Sequence, residues 1–114
     1  MTTIYGIKNC DTMKKAFKWL EAKGIDYEFV DYKKTEPDTD ILKQAINEHG
    51  WETVINQRGT TWRQLDDATK TSMNAEKAIP LGLENPSILK RPLLVHNGTT
   101  HIGFKPDIYA EIFG

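Results

Sequence analysis

The residue with the greatest chemical potential is Cys10, the only cysteine among 114 residues. It stands in the polar stretch Lys8-Asn9-Cys10-Asp11-Thr12, just ahead of a helical pattern. A thiolate, not a thiol, is the nucleophile. Nearby cations stabilise it, as do the unpaired N–H groups and positive dipole end at a helix N-terminus. Lys8 and Lys14 supply the positive charge, and Asn9 and Thr12 can donate hydrogen bonds. The competing reading is a small buried filler, the usual fate of a free cysteine, but these neighbours are too polar for a core slot. A second group is Leu89-Lys90-Arg91-Pro92. Arg91 can hold an oxyanion or carboxylate through two parallel hydrogen bonds, and Pro92, which cannot donate to a sheet, suits the start of a strand. A solvated basic pair is the alternative there. Arg58, in the loop Gln57-Arg58-Gly59, is a weaker candidate of the same kind, and Lys105 reads as solvated. His96 and His101 share one face of a hairpin but lack a third ligand, so no metal site is expected. Trp19, Trp51 and Trp62 are scattered without basic interleaving and read as packing residues.

A lone cysteine excludes an internal disulfide framework and a multi-cysteine zinc site. Any redox chemistry must borrow a second thiol from outside the chain, and a reduced, cytoplasmic setting is expected. Fifteen Lys and Arg against sixteen Asp and Glu give a formal charge of −1, which argues against a chain that coats nucleic acid. Hydrophobic residues at 39% and charged residues at 27% suit one soluble globular domain. No apolar run approaches the roughly 18 residues of a membrane span, and the start lacks the pattern of a signal peptide.

The elements that must position these residues follow from periodicity. Thr2 to Ile7 reads as a buried strand. Met13, Ala16, Phe17 and Leu20 form the stripe of an amphipathic helix, capped by Asp11 or Thr12 and stopped at Lys23-Gly24. Ile25 to Tyr32 is β-like, completing a βαβ unit with a parallel pair. Pro37-Asp38-Thr39 opens a second helix that ends near His49-Gly50. A short element follows at Trp51 to Ile55, then helical patterns around Trp62-Leu65-Ala68 and from Asn74 to Leu83. A kink or early end is expected at Pro80, because proline inside a helix costs about 3 kcal/mol. Asn97-Gly98 between two β-prone runs predicts a hairpin with a type I′ turn. Pro106 suits the first turn of a closing helix with Ile108, Ile112 and Phe113 facing inward.

Three segments together resemble the ArsC/Spx/YffB family, closest to its YffB branch: Tyr5-Gly6-Ile7-Lys8-Asn9-Cys10-Asp11-Thr12, Asn56-Gln57-Arg58-Gly59-Thr60-Thr61-Trp62, and Pro86-Ser87-Ile88-Leu89-Lys90-Arg91-Pro92-Leu93. The resemblance implies one α/β domain over residues 1–114. Its thioredoxin-like mixed sheet comes from about 1–34 and 88–114, with a helical insertion at about 35–87. It also implies a cis Arg91-Pro92 bond that brings both residues beside Cys10. Gly6 stands where arsenate reductases of the family have histidine, and Lys105 where they have their third arginine. Met13 occupies the position of the second cysteine of the Cys-x-x-Cys switch in Spx-type regulators. The implied function is therefore a glutathione-dependent thiol reductase, with Cys10 as nucleophile and Arg91 beside it. Lys8, Asn9, Thr12, Lys14, Arg58 and Pro92 would bind substrate or glutathione. No bound cofactor is expected; glutathione is the co-substrate and glutaredoxin a possible partner. The alternatives are a glutaredoxin-dependent arsenate reductase and a regulator that binds RNA polymerase without a redox switch.

Overall fold

A computed structural model describes every residue from Met1 to Gly114. The chain divides into two compact units, one formed by residues 1–35 with 91–114 and the other by residues 36–90. No helix is long and apolar enough to cross a membrane.

The first unit contains β1 (Thr2–Gly6), α1 (Asp11–Ala22), β2 (Glu28–Asp31), β3 (Leu93–His96), β4 (Thr99–Ile102) and α7 (Pro106–Phe113). Its four strands lie in the order β2-β1-β3-β4. β1 pairs parallel with β2 and antiparallel with β3, and β3 with β4 forms the hairpin. Asn97 and Gly98 turn that hairpin at φ 51 and 80, the positive values a type I′ turn requires. Along β1, Thr2, Ile4 and Gly6 are buried while Thr3 and Tyr5 are half-buried, the alternation of a strand with two different faces. The buried side meets α1 and α7 in a core of Ile4, Met13, Ala16, Leu20, Leu94 and Tyr109.

Four local expectations differ from the structure. Cys10 itself, with extended φ −146 and ψ 129, is the N-cap of α1, rather than Asp11 or Thr12. β2 begins at Glu28, not Ile25, and Glu28 is the first of its residues to pair with β1, opposite Thr3. Ile108 is 46% exposed, and Tyr109 fills the core in its place. Tyr109 stacks edge-on against Trp19 and Phe104, so the larger ring takes the inward position. The fourth difference lies in the second unit.

That unit holds α2 (Thr39–His49), α3 (Trp51–Val54), α4 (Thr60–Arg63), α5 (Asp67–Thr71), α6 (Ala75–Glu84) and a 3-10 turn at Pro86–Ile88. Asp38 caps α2 by accepting from the N–H groups of Asp40 and Ile41, and Gly50 ends it at φ 85. The pattern around Trp62 and Ala68 resolves into two short helices because Asp66 accepts from Thr69 N–H at 2.7 Å and starts a new one. α6 runs through Pro80 without ending. Its start is fixed by Asn74, which accepts from Lys77 N–H. Its far half is seated at Gly82, where an added Cβ would lie 2.8 Å from a Leu89 methyl and 3.3 Å from one of Leu42.

Candidate functional site

The carboxyl end of β1 delivers the chain to Cys10, which half-buries against the core of the first unit. Its carbonyl accepts from Lys14 N–H at 2.9 Å, which closes the first turn of α1. The Cys10 side chain makes no capping hydrogen bond. The sulfur therefore sits at the end of the helix where backbone N–H groups lack intrahelical partners, without being locked to one of them. Lys8, Asn9 and Lys14 are exposed around it and Thr12 is half-buried. The turn of chain carrying Cys10 is held close to the sheet at Gly6. A Cβ on Gly6 would lie 2.5 Å from the Met13 sulfur, so Met13 fills the volume that any side chain at position 6 would need.

The Arg91-Pro92 peptide is cis. Tyr5 pairs with Leu93, the first residue of β3, and the cis Arg91-Pro92 pair immediately precedes it. The start of β3 thus lies next to the end of β1, where the chain leaves for Cys10. Pro92 is buried and its carbonyl accepts from Gly103 N–H at 2.9 Å, which ties this position to the far end of the hairpin. Arg91 is half-buried.

Two tyrosines complete this end of the sheet, and sequence reasoning did not single them out. Tyr32 N–H donates to Gly6 O at 2.8 Å, extending β2 past Asp31 to the level of Ile7. Its ring stacks on Tyr5 with centroids 6.4 Å apart and planes 26° apart. Burial pushes the Tyr32 hydroxyl far above its ordinary range and Tyr5 raises it further, while the Arg91 charge acts in the opposite direction. No signal in the sequence joins them, because the face they share follows from the register of β1 against β2, in which Tyr5 pairs with Val30.

The predicted site residues therefore separate. Lys8, Asn9, Cys10, Thr12, Lys14, Arg91 and Pro92 all belong to the first unit. Arg58 belongs to the second, exposed in a turn where its N–H donates to Asn56 Oδ1 at 3.2 Å. Lys105 is exposed at the N-cap of α7. His96 is engaged with Thr2, its Nδ1 lying 2.8 Å from the Thr2 hydroxyl.

Residues 5–112 match the model of the ArsC family. The chain belongs to the ArsC family. An uncharacterised protein of Haemophilus influenzae is 42% identical over 113 residues, covering 99% of each chain. Among solved structures, a YFFB protein superposes with a TM-score of 0.95 at 48% identity, covering the whole of both chains. An arsenate reductase (ArsC) related protein from Brucella melitensis is 47% identical with a TM-score of 0.77, over 98% of this chain and 93% of its own. The fold is accordingly the thioredoxin-like α/β arrangement of ArsC-type proteins.

Proposed function

We propose that this ArsC-family chain is a glutathione-dependent thiol reductase with Cys10 as its single nucleophile. The observation that carries this reading is the placement of Cys10. It occupies the N-cap of α1 just beyond the carboxyl end of β1, and the cis Arg91-Pro92 pair immediately precedes β3, whose first residue Leu93 pairs with Tyr5 of β1. The Cys10 thiolate attacks one sulfur of a disulfide substrate, forming a mixed disulfide and releasing the other sulfur as thiolate. A glutathione thiolate then attacks the Cys10 sulfur of that mixed disulfide, displacing the substrate as its second thiolate and leaving Cys10 bonded to glutathione. A second exchange, by glutathione directly or by glutaredoxin that a second glutathione then frees, returns Cys10 to the free thiolate. Two electrons pass to the substrate disulfide, and two glutathione molecules end as oxidised glutathione. Arg91 and Lys8 hold carboxylates of the incoming molecule, Asn9 and Thr12 donate hydrogen bonds, and Pro92 shapes the wall beside the sulfur. Lys14 adds positive charge at the first turn of α1. The guanidinium fork of Arg91 matches a carboxylate through two bonds, which a lysine cannot do.

Incubation with oxidised glutathione tests the reading. Mass spectrometry should show one glutathione adduct on Cys10, removed by reduced glutathione or glutaredoxin and absent in Cys10→Ser. If Cys10 stays unmodified at neutral pH while the folded protein captures RNA polymerase, the regulator takes the place of the enzyme. Robust arsenate turnover with glutathione and glutaredoxin would instead name arsenate as the substrate.

A further inference from the structure

Helix α1 has two sides of different chemistry. Met13, Ala16 and Leu20 are buried, and the opposite side exposes Asp11, Lys14, Lys15 and Lys18. Spacings of i, i+3, i+4 and i+7 put those four on one stripe, turned away from the core. Three of the four are cationic, and the one acid stands in the first turn, where the helix dipole favours it. Charges nearer the other end of α1 are occupied by their own chain. The Tyr27 hydroxyl donates to Glu21 Oε2 at 3.3 Å, and Lys23 Nζ lies 5.9 Å from the centre of the Trp19 ring. No side chain of the protein holds the ammonium groups of Lys14, Lys15 or Lys18. α7, the other helix of this unit, exposes Asp107 and Glu111 and has no lysine or arginine.

Cys10 is the N-cap of this same helix, so the lysine stripe begins one turn beyond the nucleophile and runs away from it. At 1.5 Å per residue, Lys18 lies about 12 Å along the axis from Cys10. The cations nearest the sulfur serve a small disulfide. Lys15 and Lys18 lie further out, within the roughly 800 Å² that one partner contributes to a protein interface. Charges of complementary sign around such a contact raise the encounter rate and fix the orientation of docking.

We propose that this stripe is the docking surface for an acidic protein that carries the disulfide attacked by Cys10, its carboxylates lying along Lys14, Lys15 and Lys18. In the docked pair the Cys10 thiolate bonds to one sulfur of the partner's disulfide, the S–S bond breaks, and the other sulfur leaves as thiolate. The inference rests on the thiol-reductase reading above and deepens it by naming the substrate class: a protein whose surface beside its disulfide is acidic. Nucleic acid is the other polyanion for a row of lysines, but Asp11 interrupts the row and nucleic acid brings no sulfur to Cys10.

The test uses two synthetic peptides, each with one cysteine held as a 2-pyridyl mixed disulfide. Four glutamates follow that cysteine after a short spacer in one peptide, and four serines in the other. Attack of Cys10 on the peptide sulfur releases 2-thiopyridone, whose absorbance gives the rate. At low salt the wild-type protein should react several-fold faster with the glutamate peptide, and the difference should shrink as salt rises. Lys15→Glu with Lys18→Glu, folded by circular dichroism, should abolish or invert that preference. The same variant should keep the wild-type rate with uncharged 2,2′-dipyridyl disulfide, and Lys15→Arg with Lys18→Arg should keep the preference. Lys43→Glu with Lys77→Glu, at exposed positions of the other unit, makes the same change of net charge and should keep most of it. Equal wild-type rates with the two peptides, or equal behaviour of the two charge-reversed pairs, overturns the inference and leaves the reductase reading intact. So does a single-stranded DNA oligonucleotide that suppresses the glutamate-peptide rate at physiological salt, which would assign the stripe to nucleic acid. Failure of wild-type Cys10 to react even with dipyridyl disulfide overturns both.

Discussion

Gly6 and Met13 show how a single atom count shapes the site. With an added Cβ 2.5 Å from the Met13 sulfur, Gly6→Ala must displace a fully buried side chain or the first turn of α1. The expected loss is about 2 kcal/mol, in the range of overpacked cores. Chemical denaturation should also show that Gly6→Ala with Met13→Ala loses less than the two single losses summed, since each change relieves the other. Tyr109 offers the opposite prediction. It is fully buried, and its hydroxyl has no hydrogen-bond partner. A buried hydroxyl without a partner carries its desolvation cost uncompensated, so Tyr109→Phe should raise stability by about 1 kcal/mol. A lower unfolding midpoint for that variant would mean that the hydroxyl is satisfied.

Among the elements, α6 is the one most at odds with its own sequence. Pro80 is exposed and sits inside the helix, where it removes one backbone donor. Against a helix cost of about 3 kcal/mol stands a smaller gain of roughly 1 kcal/mol from a stiffer unfolded chain. Pro80→Ala should therefore stabilise the protein, read as a higher denaturant midpoint with an unchanged slope. The same element shows what periodicity can and cannot reveal. α1 and α2 are legible because the apolar stripe and the stopping glycine agree on one helix. The cap of α1 is not legible, because a cysteine is a poor capping residue and its role follows from where β1 releases the chain. Ile108 misleads because spacing cannot decide whether Ile108 or Tyr109 turns inward, a choice settled by the aromatic rings of Trp19 and Phe104. For the site, Cys10 and Arg91-Pro92 stand out by residue type. Tyr5 and Tyr32 do not, since their meeting depends on strand register across two separate stretches of chain.

For the molecule as a whole, the unit with Cys10 carries nine Lys and Arg against seven Asp and Glu, while residues 36–90 carry six against nine. The cationic balance lies on the side that contains the proposed nucleophile. Reaction of Cys10 with oxidised glutathione, an anion, should accordingly slow as salt rises, whereas bis(2-hydroxyethyl) disulfide should show little dependence. Stability has its own pH signature. Tyr32 and Tyr109 both hold their protons far above the ordinary tyrosine value of 10.0 because they are buried. The unfolded chain loses those protons first, so their contribution is complete below about pH 10 and declines as pH rises beyond it. Denaturation midpoints should fall on the alkaline side, and less steeply in Tyr109→Phe.

The division of the Cys10 unit into an early and a late segment also orders events during synthesis. β1, Cys10 and α1 leave the ribosome before the strand that flanks β1 on its antiparallel side: β3 begins roughly 80 residues after Cys10, a wait of about 4–16 s at ordinary translation rates. Throughout that interval the thiol sits on a nascent chain whose sheet lacks its central neighbour, while residues 36–90 are themselves being made. The thiol is made well before the strand beside it, so a newborn chain offers the cell a bare cysteine before the sheet around it is complete.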